Sequence, residues 1–321
     1  MTDIRIPEDM YDIVIVGGGP GGLTAGLYAA RADMKTLLLE GNAQASQITM
    51  TDMIENYPGI SSIGGFELHD TFKKQAVSFG LETRPEQVVR IDRAQSGDVS
   101  GWEVVTDNGA YCTLSVIVST GAAWSRLGVP GEVEMIGRGV SNCATCDAPF
   151  YRGREVAVVG GGDTAVQEAV YLTKFASKVT LIHRRDRLRA TAILQQRAFA
   201  SEKITFAWDS VVEEILGEDG VTGVRIRNVK DPDRREDIPA DGVFIFVGLV
   251  PNTAVVKGLV KLDDDGYIIA DSDMKTSAEG IFACGDCIRK TLRQVVTACG
   301  DGATAAHGAS LYVDDMKGQA Y

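Results

Sequence analysis

Short apolar runs alternate with glycine clusters and helical stretches along this chain. Residues 11–17 form an apolar run that leads into a glycine cluster at residues 17–22, and a helical stretch follows as far as residue 32. Residues 35–40 form the next apolar run. Strands that alternate with helices in this way build parallel sheets, so the pattern predicts an α/β fold.

The same pattern recurs in the middle of the chain. An apolar run at residues 155–160 leads into a second glycine cluster, which is followed by a helical stretch to residue 175 and a strand at residues 179–183. Each pattern is typical of a Rossmann dinucleotide-binding motif. Two such motifs in one chain indicate two dinucleotides, a tightly held FAD and an exchangeable nicotinamide cofactor.

Two further apolar strands flank the second motif, at residues 113–122 and 242–250. They mark the places where the chain crosses between domains. We therefore predict two Rossmann-like domains: a discontinuous FAD-binding domain of residues 1–120 and 251–321, and an NADPH-binding domain of residues 121–250 inserted into it. Residues 280–286 are predicted to form a strand and a glycine turn, and residues 293–313 a helix.

The first glycine cluster has the spacing that a pyrophosphate requires. Gly17 makes the tight turn, Gly19 lets the backbone approach the pyrophosphate, and Gly22 lets the helix pack against the strand. Glu40 ends the next strand, where a carboxylate binds ribose hydroxyls. The alternative is a glycine turn with a purely structural role.

The second motif carries basic residues where the first has Glu40. His183, Arg184 and Arg185 end the strand, and Arg189 lies four residues further on. Guanidinium groups bind a 2′-phosphate through charge-assisted hydrogen bonds, so this motif is predicted to bind NADPH. The alternative is a solvated helix start.

Charge and hydropathy limit the partners. The 321 residues carry a formal net charge of −12, which disfavours nucleic acid and anionic membranes because both require a basic surface. Residues 1–10 have no apolar run like that of a signal peptide, and residues 242–250, the most apolar stretch, are too short to span a bilayer. A cytoplasmic location is expected.

Two of the six cysteines, Cys143 and Cys146, are separated by two residues, and Asp147 follows directly. Cysteines at this spacing can open and close a disulfide within one short loop, and the Asp can move the proton that each step requires. In a large chain without a secretory signal, cysteines are expected to be reduced, catalytic or metal-bound rather than a structural framework.

Several motifs occur together in a recognisable order. They are Cys-Ala-Thr-Cys-Asp at residues 143–147, Gly-Gly-Gly-Asp-Thr-Ala at 160–165, His-Arg-Arg at 183–185, Gly-Ile-Phe-Ala-Cys-Gly-Asp at 280–286 and Arg-Gln-Val-Val-Thr-Ala at 293–298. With them, the chain closely resembles the low-molecular-weight thioredoxin reductases from residue 11 to about residue 313. The resemblance implies an enzyme, a homodimeric NADPH:thioredoxin-disulfide oxidoreductase that uses FAD.

The same resemblance assigns residues to each cofactor. FAD is expected on Gly17, Gly19, Pro20, Gly22, Glu40, Gln47, Asn56, Asp286, Arg293, Gln294 and Val295. NADPH is expected on Gly160, Gly162, Asp163, Thr164, Ala165, His183, Arg184, Arg185 and Arg189. No metal is expected.

The resemblance also implies the catalytic roles. Cys146 would face the flavin, Cys143 would attack the thioredoxin disulfide, and Asp147 would be the acid–base group. Electrons would pass from NADPH to FAD, then to the Cys143–Cys146 disulfide and on to oxidised thioredoxin. One flavin must meet both the nicotinamide and the dithiol, so we expect the NADPH-binding domain to rotate about the two crossings between steps.

Four positions depart from the family pattern. Residues 45–46 are Ala-Ser before Gln47, where the family usually has Gly-Gly, and Ala148 stands where Gly is common. Cys284 replaces a small apolar residue and creates a second Cys-x-x-Cys with Cys287. For Cys284 we expect the role of a small buried hydrophobe, with a four-thiolate zinc site as the alternative.

Two other interpretations of the whole chain stay open at this point. The first is a flavin disulfide reductase with a different protein partner or electron donor, such as a peroxiredoxin system, ferredoxin or NADH. The second is a non-catalytic flavin redox sensor, which rapid multiple turnover on a thioredoxin would exclude. His69 and His307 are assigned no partner.

Overall fold

The structure is a computed structural model that describes residues 10–41, 46–51, 53–96 and 99–319. The chain divides into two compact parts. We call residues 1–123 with 250–321 the outer domain, and residues 124–249 the inserted domain.

The described elements are given below by type, and each type is in chain order. The strands are β1 (Tyr11–Val16), β2 (Thr36–Leu39), β3 (Glu82–Arg84), β4 (Val88–Ser96), β5 (Val99–Thr106), β6 (Ala110–Val118), β7 (Ala122–Trp124), β8 (Val140–Ser141), β9 (Glu155–Gly160), β10 (Lys178–Ile182), β11 (Ile204–Ala207), β12 (Ser210–Gly217), β13 (Val221–Asn228), β14 (Arg235–Pro239), β15 (Gly242–Phe246), β16 (Leu249–Pro251) and β17 (Ile281–Ala283). The α-helices are α1 (Pro20–Arg31), α2 (Gly65–Ser78), α3 (Ala144–Asp147), α4 (Asp163–Leu172), α5 (Ala192–Phe199) and α6 (Val295–Met316). Short 3₁₀ turns lie at Gln47–Met50, Ala148–Tyr151, Ala254–Val256 and Gly285–Cys287.

The main sheet of the outer domain has the strand order β3-β2-β1-β6-β5-β4, and β17 pairs with β6. Strands β1, β2, β3, β6 and β17 run parallel, whereas β4, β5 and β6 form an antiparallel meander. Every residue of β1 is buried, as expected for a parallel strand that is covered on both faces. Its C-terminal end leads directly into the first glycine cluster, so the buried sheet fixes where that cluster lies.

Helices α1 and α6 pack closely against each other beside this sheet. A Cβ on Gly302 of α6 would overlap the carbonyl oxygen of Gly21 in α1, so glycine at this crossing allows the close approach. The N-terminus of α6 is closed by a capping box between Gln294 and Thr297. This arrangement holds the start of α6 beside the 3₁₀ turn Gly285–Cys287.

The inserted domain has a parallel sheet with the order β11-β10-β9-β15-β8 and a separate antiparallel sheet, β12-β13-β14. One face of the parallel sheet is covered by an apolar cluster that includes residues of α4 and α5. The short helix α3 follows β8 after a two-residue connection, so Cys143 lies between a buried strand and a helix.

The predicted α/β class with two Rossmann-like motifs is confirmed. The predicted strand at residues 242–250 is two strands, β15 and β16, because Gly248 adopts a φ of +143° between them. The predicted strand at residues 113–122 corresponds to β6, which ends at Val118, and β7 follows from Ala122. Strands β4 and β5, the sheet β12–β14 and helix α2 were not predicted. Among the described residues, no helix is both long enough and apolar enough to cross a membrane.

Candidate functional site

The first glycine loop joins the end of β1 to the start of α1. Gly17 has a φ of +111°, which side chains strongly disfavour. A Cβ on Gly22 would overlap the carbonyl oxygen of Gly17, and the hydroxyl of Ser119 lies 2.7 Å from the same oxygen. Gly19 is the N-cap of α1 and Pro20 its first residue. The N-terminus of α1, with its unpaired N–H groups and positive dipole end, is therefore presented as a pyrophosphate site.

Glu40 follows β2 and lies against this loop. A Cβ on Gly18 would be 3.2 Å from the Cβ and Cγ of Glu40. The ammonium of Lys73, on α2, lies 2.7 and 2.8 Å from the two carboxylate oxygens of Glu40. One turn earlier on α2, His69 Nε2 lies 2.8 Å from the carbonyl oxygen of Gly18. The expectation that His69 has no partner is therefore wrong, and Lys73 was not predicted. The only signal for either residue in the sequence is their four-residue spacing.

Asp286, in the 3₁₀ turn after β17, carries a buried oxygen without a hydrogen bond. In the part of the chain that the structure describes, no donor reaches Oδ1, and the Lys290 ammonium is 3.8 Å away. Burial raises the pKa of Asp286, while Lys290 and Arg293 oppose the shift. A buried acceptor that lacks donors is costly unless a ligand supplies them, so this position fits the hydroxyl groups of FAD.

The start of α6 gathers other residues predicted to bind FAD. The Arg293 guanidinium donates to the carbonyl oxygen of Asp286 at 3.4 Å. Asn56 Nδ2 donates to Gln294 Oε1 at 2.8 Å, and Val295 packs against a small apolar cluster beside them. The structure thus brings together four predicted residues, and the hydrogen bond between Asn56 and Gln294 joins positions 238 residues apart in sequence.

The second glycine loop joins β9 to α4 in the inserted domain. The predicted residues Gly160, Gly162, Asp163, Thr164 and Ala165 all lie at this turn. Gly162 is the N-cap of α4, and the Asp163 carboxylate accepts the backbone N–H of Thr191 at 2.6 Å. Like α1, this helix starts at a glycine turn and can receive a pyrophosphate.

His183 lies directly beneath the second loop. A Cβ on Gly161 would overlap its ring, which is only 5% exposed and whose Nε2 has no partner among the described residues. Burial, assisted by Arg189 and Arg185, lowers the pKa of His183, so the ring is neutral at pH 7. The carbonyl oxygen of Gly161 accepts the backbone N–H of Arg189 at 2.7 Å. The ring therefore supports the loop whose Gly161 carbonyl holds the backbone of Arg189.

Three arginines lie exposed beside this loop: Arg184, Arg185 and Arg189. Within the described ranges, none of them forms an ion pair. Exposed guanidinium groups without carboxylate partners in a chain of net charge −12 fit a phosphate ligand. The donor set therefore suits NADPH.

Cys143 is disulfide-bonded and half-buried between β8 and α3. Its backbone N–H donates to Ser141 Oγ at 3.0 Å, and its carbonyl oxygen accepts the N–H of Asp147 at 3.2 Å. Burial and, to a smaller extent, the negative charge of Asp147 raise the pKa of Tyr151. A disulfide with a carboxylate in the same turn can exchange electrons and protons together.

Some sequence predictions fall outside the described part of the chain, namely those on Ala45 and on the side chain of Cys146. Gln47 is described, and its side chain donates to the carbonyl oxygen of Ala122 at 2.5 Å rather than to another predicted site residue.

Cys284 and Cys287 are fully buried, and burial raises the pKa of both thiols. Buried thiols of raised pKa behave as small hydrophobes rather than nucleophiles. No group of three or more His, Cys, Asp or Glu side chains among the described residues could hold a metal ion.

Comparison with known proteins agrees with this geometry. The family model for pyridine nucleotide-disulphide oxidoreductases matches residues 11–302. The thioredoxin reductase of Listeria monocytogenes is 47% identical over 315 residues, which cover 97% of this chain and 96% of that protein. The thioredoxin reductase of Bacillus subtilis is 43% identical over 314 residues, with 97% of each chain covered.

Solved structures give the same result. The structure of Lactococcus lactis thioredoxin reductase in its FR conformation matches with a TM-score of 0.91 at 45% identity, over 95% of this chain and 99% of that one. The structure of T. acidophilum thioredoxin reductase matches with a TM-score of 0.89 at 34% identity, over 96% of this chain and 99% of that one. The resemblance noted in the sequence is therefore confirmed, and the chain belongs to the low-molecular-weight thioredoxin reductases of the pyridine nucleotide-disulphide oxidoreductase family.

Proposed function

We propose that this chain is an NADPH:thioredoxin-disulfide oxidoreductase that uses FAD. FAD and NADPH are the cofactors of the family. In the overall reaction, NADPH, a proton and the thioredoxin disulfide become NADP⁺ and the thioredoxin dithiol. The first glycine loop, Glu40 and Asp286 would hold FAD, which would supply the two-electron chemistry that links NADPH to the protein disulfide.

The observation that carries the proposal is the disulfide of Cys143 in the turn that also holds Asp147. Cys146 is the predicted partner in that disulfide. As the disulfide opens, Asp147 gives a proton to the departing sulfur and takes it back when the thiol becomes a nucleophile. Cys143 then attacks the disulfide of the protein substrate, and Cys146 displaces the reduced product.

The two cofactors are assigned by the charges that face them. Glu40 and the buried oxygen of Asp286 accept hydrogen bonds from hydroxyl groups, which suits FAD in the outer domain. Arg184, Arg185 and Arg189 offer donors to a 2′-phosphate, which suits NADPH in the inserted domain. No observation favours NADH or a ferredoxin as the donor.

A protein substrate is supported by an exposed apolar side chain close to the disulfide. Phe150 is 74% exposed and lies in the 3₁₀ turn that follows Asp147. A phenyl ring that is left in water next to a redox-active turn is suited to pack against a docked partner. Relatives named thioredoxin reductase indicate that this partner is thioredoxin. We also propose a homodimer, from the family resemblance of the sequence, and a cytoplasmic location.

The proposal is tested by anaerobic titration of the purified flavoprotein with NADPH, while flavin absorbance is followed and thiols are counted. NADPH should bleach the flavin and produce two thiols more than the oxidised protein contains. Cys143→Ser should keep the bleaching by NADPH but abolish the reduction of thioredoxin. Cys112→Ser is the matched control, because Cys112 is exposed on β6 in the outer domain and should leave turnover unchanged.

The outcomes separate the alternatives. Failure of NADPH to bleach the flavin would contradict the assigned donor, and bleaching by NADH alone would indicate a different nicotinamide cofactor. Bleaching and new thiols without turnover on thioredoxin would point to another protein partner or to a sensor.

A further inference from the structure

Helix α2 places two polar side chains against the first glycine loop, although neither belongs to that motif. His69 and Lys73 are four residues apart and therefore lie on the same face of the helix. His69 Nε2 lies 2.8 Å from the carbonyl oxygen of Gly18, and Lys73 Nζ lies within 2.8 Å of both carboxylate oxygens of Glu40. Both side chains are half-buried, and α2 packs against α1 and is thereby held in place.

The contact of His69 fixes the plane of one peptide bond. Its ring N–H donates to the carbonyl oxygen of Gly18, and in a trans peptide the carbonyl and the next N–H point in opposite directions. Holding the carbonyl of Gly18 therefore orients the N–H of Gly19, the N-cap of α1. That N–H belongs to the turn that is presented to the pyrophosphate.

The contact of Lys73 balances a charge. The carboxylate of Glu40 lies against the glycine loop, where an unpaired negative charge would repel a diphosphate. The ammonium of Lys73 compensates that charge and fixes the carboxylate, which is 21% exposed. The carboxylate oxygens still have lone pairs that can accept hydrogen bonds from ribose hydroxyls.

We propose that His69 and Lys73 are positioning residues for FAD: they hold Gly18 and Glu40 in the geometry that binds the pyrophosphate and the ribose of the cofactor. This inference rests on the assignment of the first motif to FAD. His69 and Lys73 are expected to act through Gly18 and Glu40, not through contact with the isoalloxazine ring, so they should affect retention of the cofactor and not its chemistry.

The test measures the Kd of FAD for the full-length protein, by following flavin fluorescence on dilution of the holoenzyme and on adding FAD back. Lys73→Met should raise the Kd about fivefold, since a half-exposed ion pair contributes about 1 kcal/mol. Lys74→Met is the matched control: Lys74 is its neighbour on the same helix, but it is exposed and pairs with Asp70 at 2.6 Å. It should leave the Kd within about twofold of wild type.

A double-mutant cycle tests whether Lys73 acts through Glu40. In a Glu40→Gln background, Lys73→Met should change the Kd by less than about twofold, because its partner charge is gone. Lys73→Arg should retain FAD as wild type does, even where Lys73→Met lowers folding yield. His69→Leu should raise the Kd, and His69→Gln, which keeps a donor, should restore part of the affinity.

A Kd for Lys73→Met that equals wild type, or an equal rise for Lys74→Met, would overturn the inference. So would an undiminished effect of Lys73→Met in the Glu40→Gln background, because Lys73 would then act by another route. If wild type itself retained no FAD, the assignment of the first motif would be wrong instead. The kcat at saturating FAD should be the same in Lys73→Met and wild type.

Discussion

Removing Arg184 and Arg185 together tests the assignment of the second motif to NADPH. Both side chains are exposed, and in the described part of the chain neither forms an ion pair. Substitution by alanine therefore removes no contact that holds the fold, and the free energy of unfolding should stay within about 0.5 kcal/mol of wild type. Any large effect on catalysis must then come from lost contacts between the arginines and the nicotinamide cofactor.

The magnitude follows from charge-assisted hydrogen bonds to a phosphate. Such bonds contribute about 1.5–3 kcal/mol each, and exposure to solvent favours the lower figure. Two bonds at about 1.5 kcal/mol correspond to roughly a 100-fold rise in the KM for NADPH. NADH lacks the 2′-phosphate, so its KM should change less than about twofold.

The assay is steady-state reduction of thioredoxin with each nicotinamide cofactor, at low and at high salt. Arg187→Ala is the matched control, because Arg187 is an exposed arginine of the same segment that lies outside the predicted set. It should raise the KM for NADPH no more than about threefold, through screened long-range attraction alone. Equal losses with NADPH and NADH, or an Arg187→Ala effect as large as that of the double variant, would refute the phosphate assignment.

Two further outcomes are expected. Asp286→Asn should raise the Kd of FAD at least about tenfold through weaker acceptance of hydroxyl donors. It should not lower the unfolding free energy of the FAD-free chain, because it removes a charge whose buried Oδ1 lacks a hydrogen-bond donor among the described residues. Urea unfolding of the FAD-free chain together with flavin titration checks both expectations. Burial lowers the pKa of His183 in the folded chain from its ordinary value of 6.5. As the pH falls below about 6.5, the unfolded chain therefore binds a proton that the folded chain does not. The free energy of unfolding then decreases by up to about 1.4 kcal/mol per pH unit, until the pH reaches the folded pKa. Urea unfolding at pH 7.5 and 5.5 should show this loss in wild type and less of it in His183→Gln, and parallel losses in both would contradict it.

Both glycine loops could be predicted because their determinants are local. A buried strand, a glycine that must adopt a positive φ and a helix start are contiguous in sequence, so Gly17 and Gly160 identify their loops without any tertiary information. The second strand of each motif could be predicted for the same reason.

The contacts of α2 could not be predicted in this way. Lys73 reaches Glu40 across 33 residues and His69 reaches Gly18 across 51, so only the packing of α2 against α1 brings them together. Strands β4 and β5 were missed because they pair with each other and with β6 through registers that alternation alone does not specify. The buried oxygen of Asp286 likewise results from tertiary burial, which its sequence neighbours do not reveal.

The two glycine loops differ chiefly in how their charges are balanced, and we expect this difference to give the two cofactors different residence times. At the first loop, Glu40 is already paired with Lys73. If the first motif binds FAD as proposed, the cofactor meets a charge-balanced, fixed carboxylate, which favours slow release. At the second loop, Arg184 and Arg185 are exposed, and no carboxylate among the described residues pairs with their positive charges, although the chain has a net charge of −12. Such a site attracts a phosphorylated nucleotide locally while the rest of the surface repels it, which favours rapid exchange of NADPH for NADP⁺. Adding salt should therefore weaken binding of NADPH far more than it weakens retention of FAD.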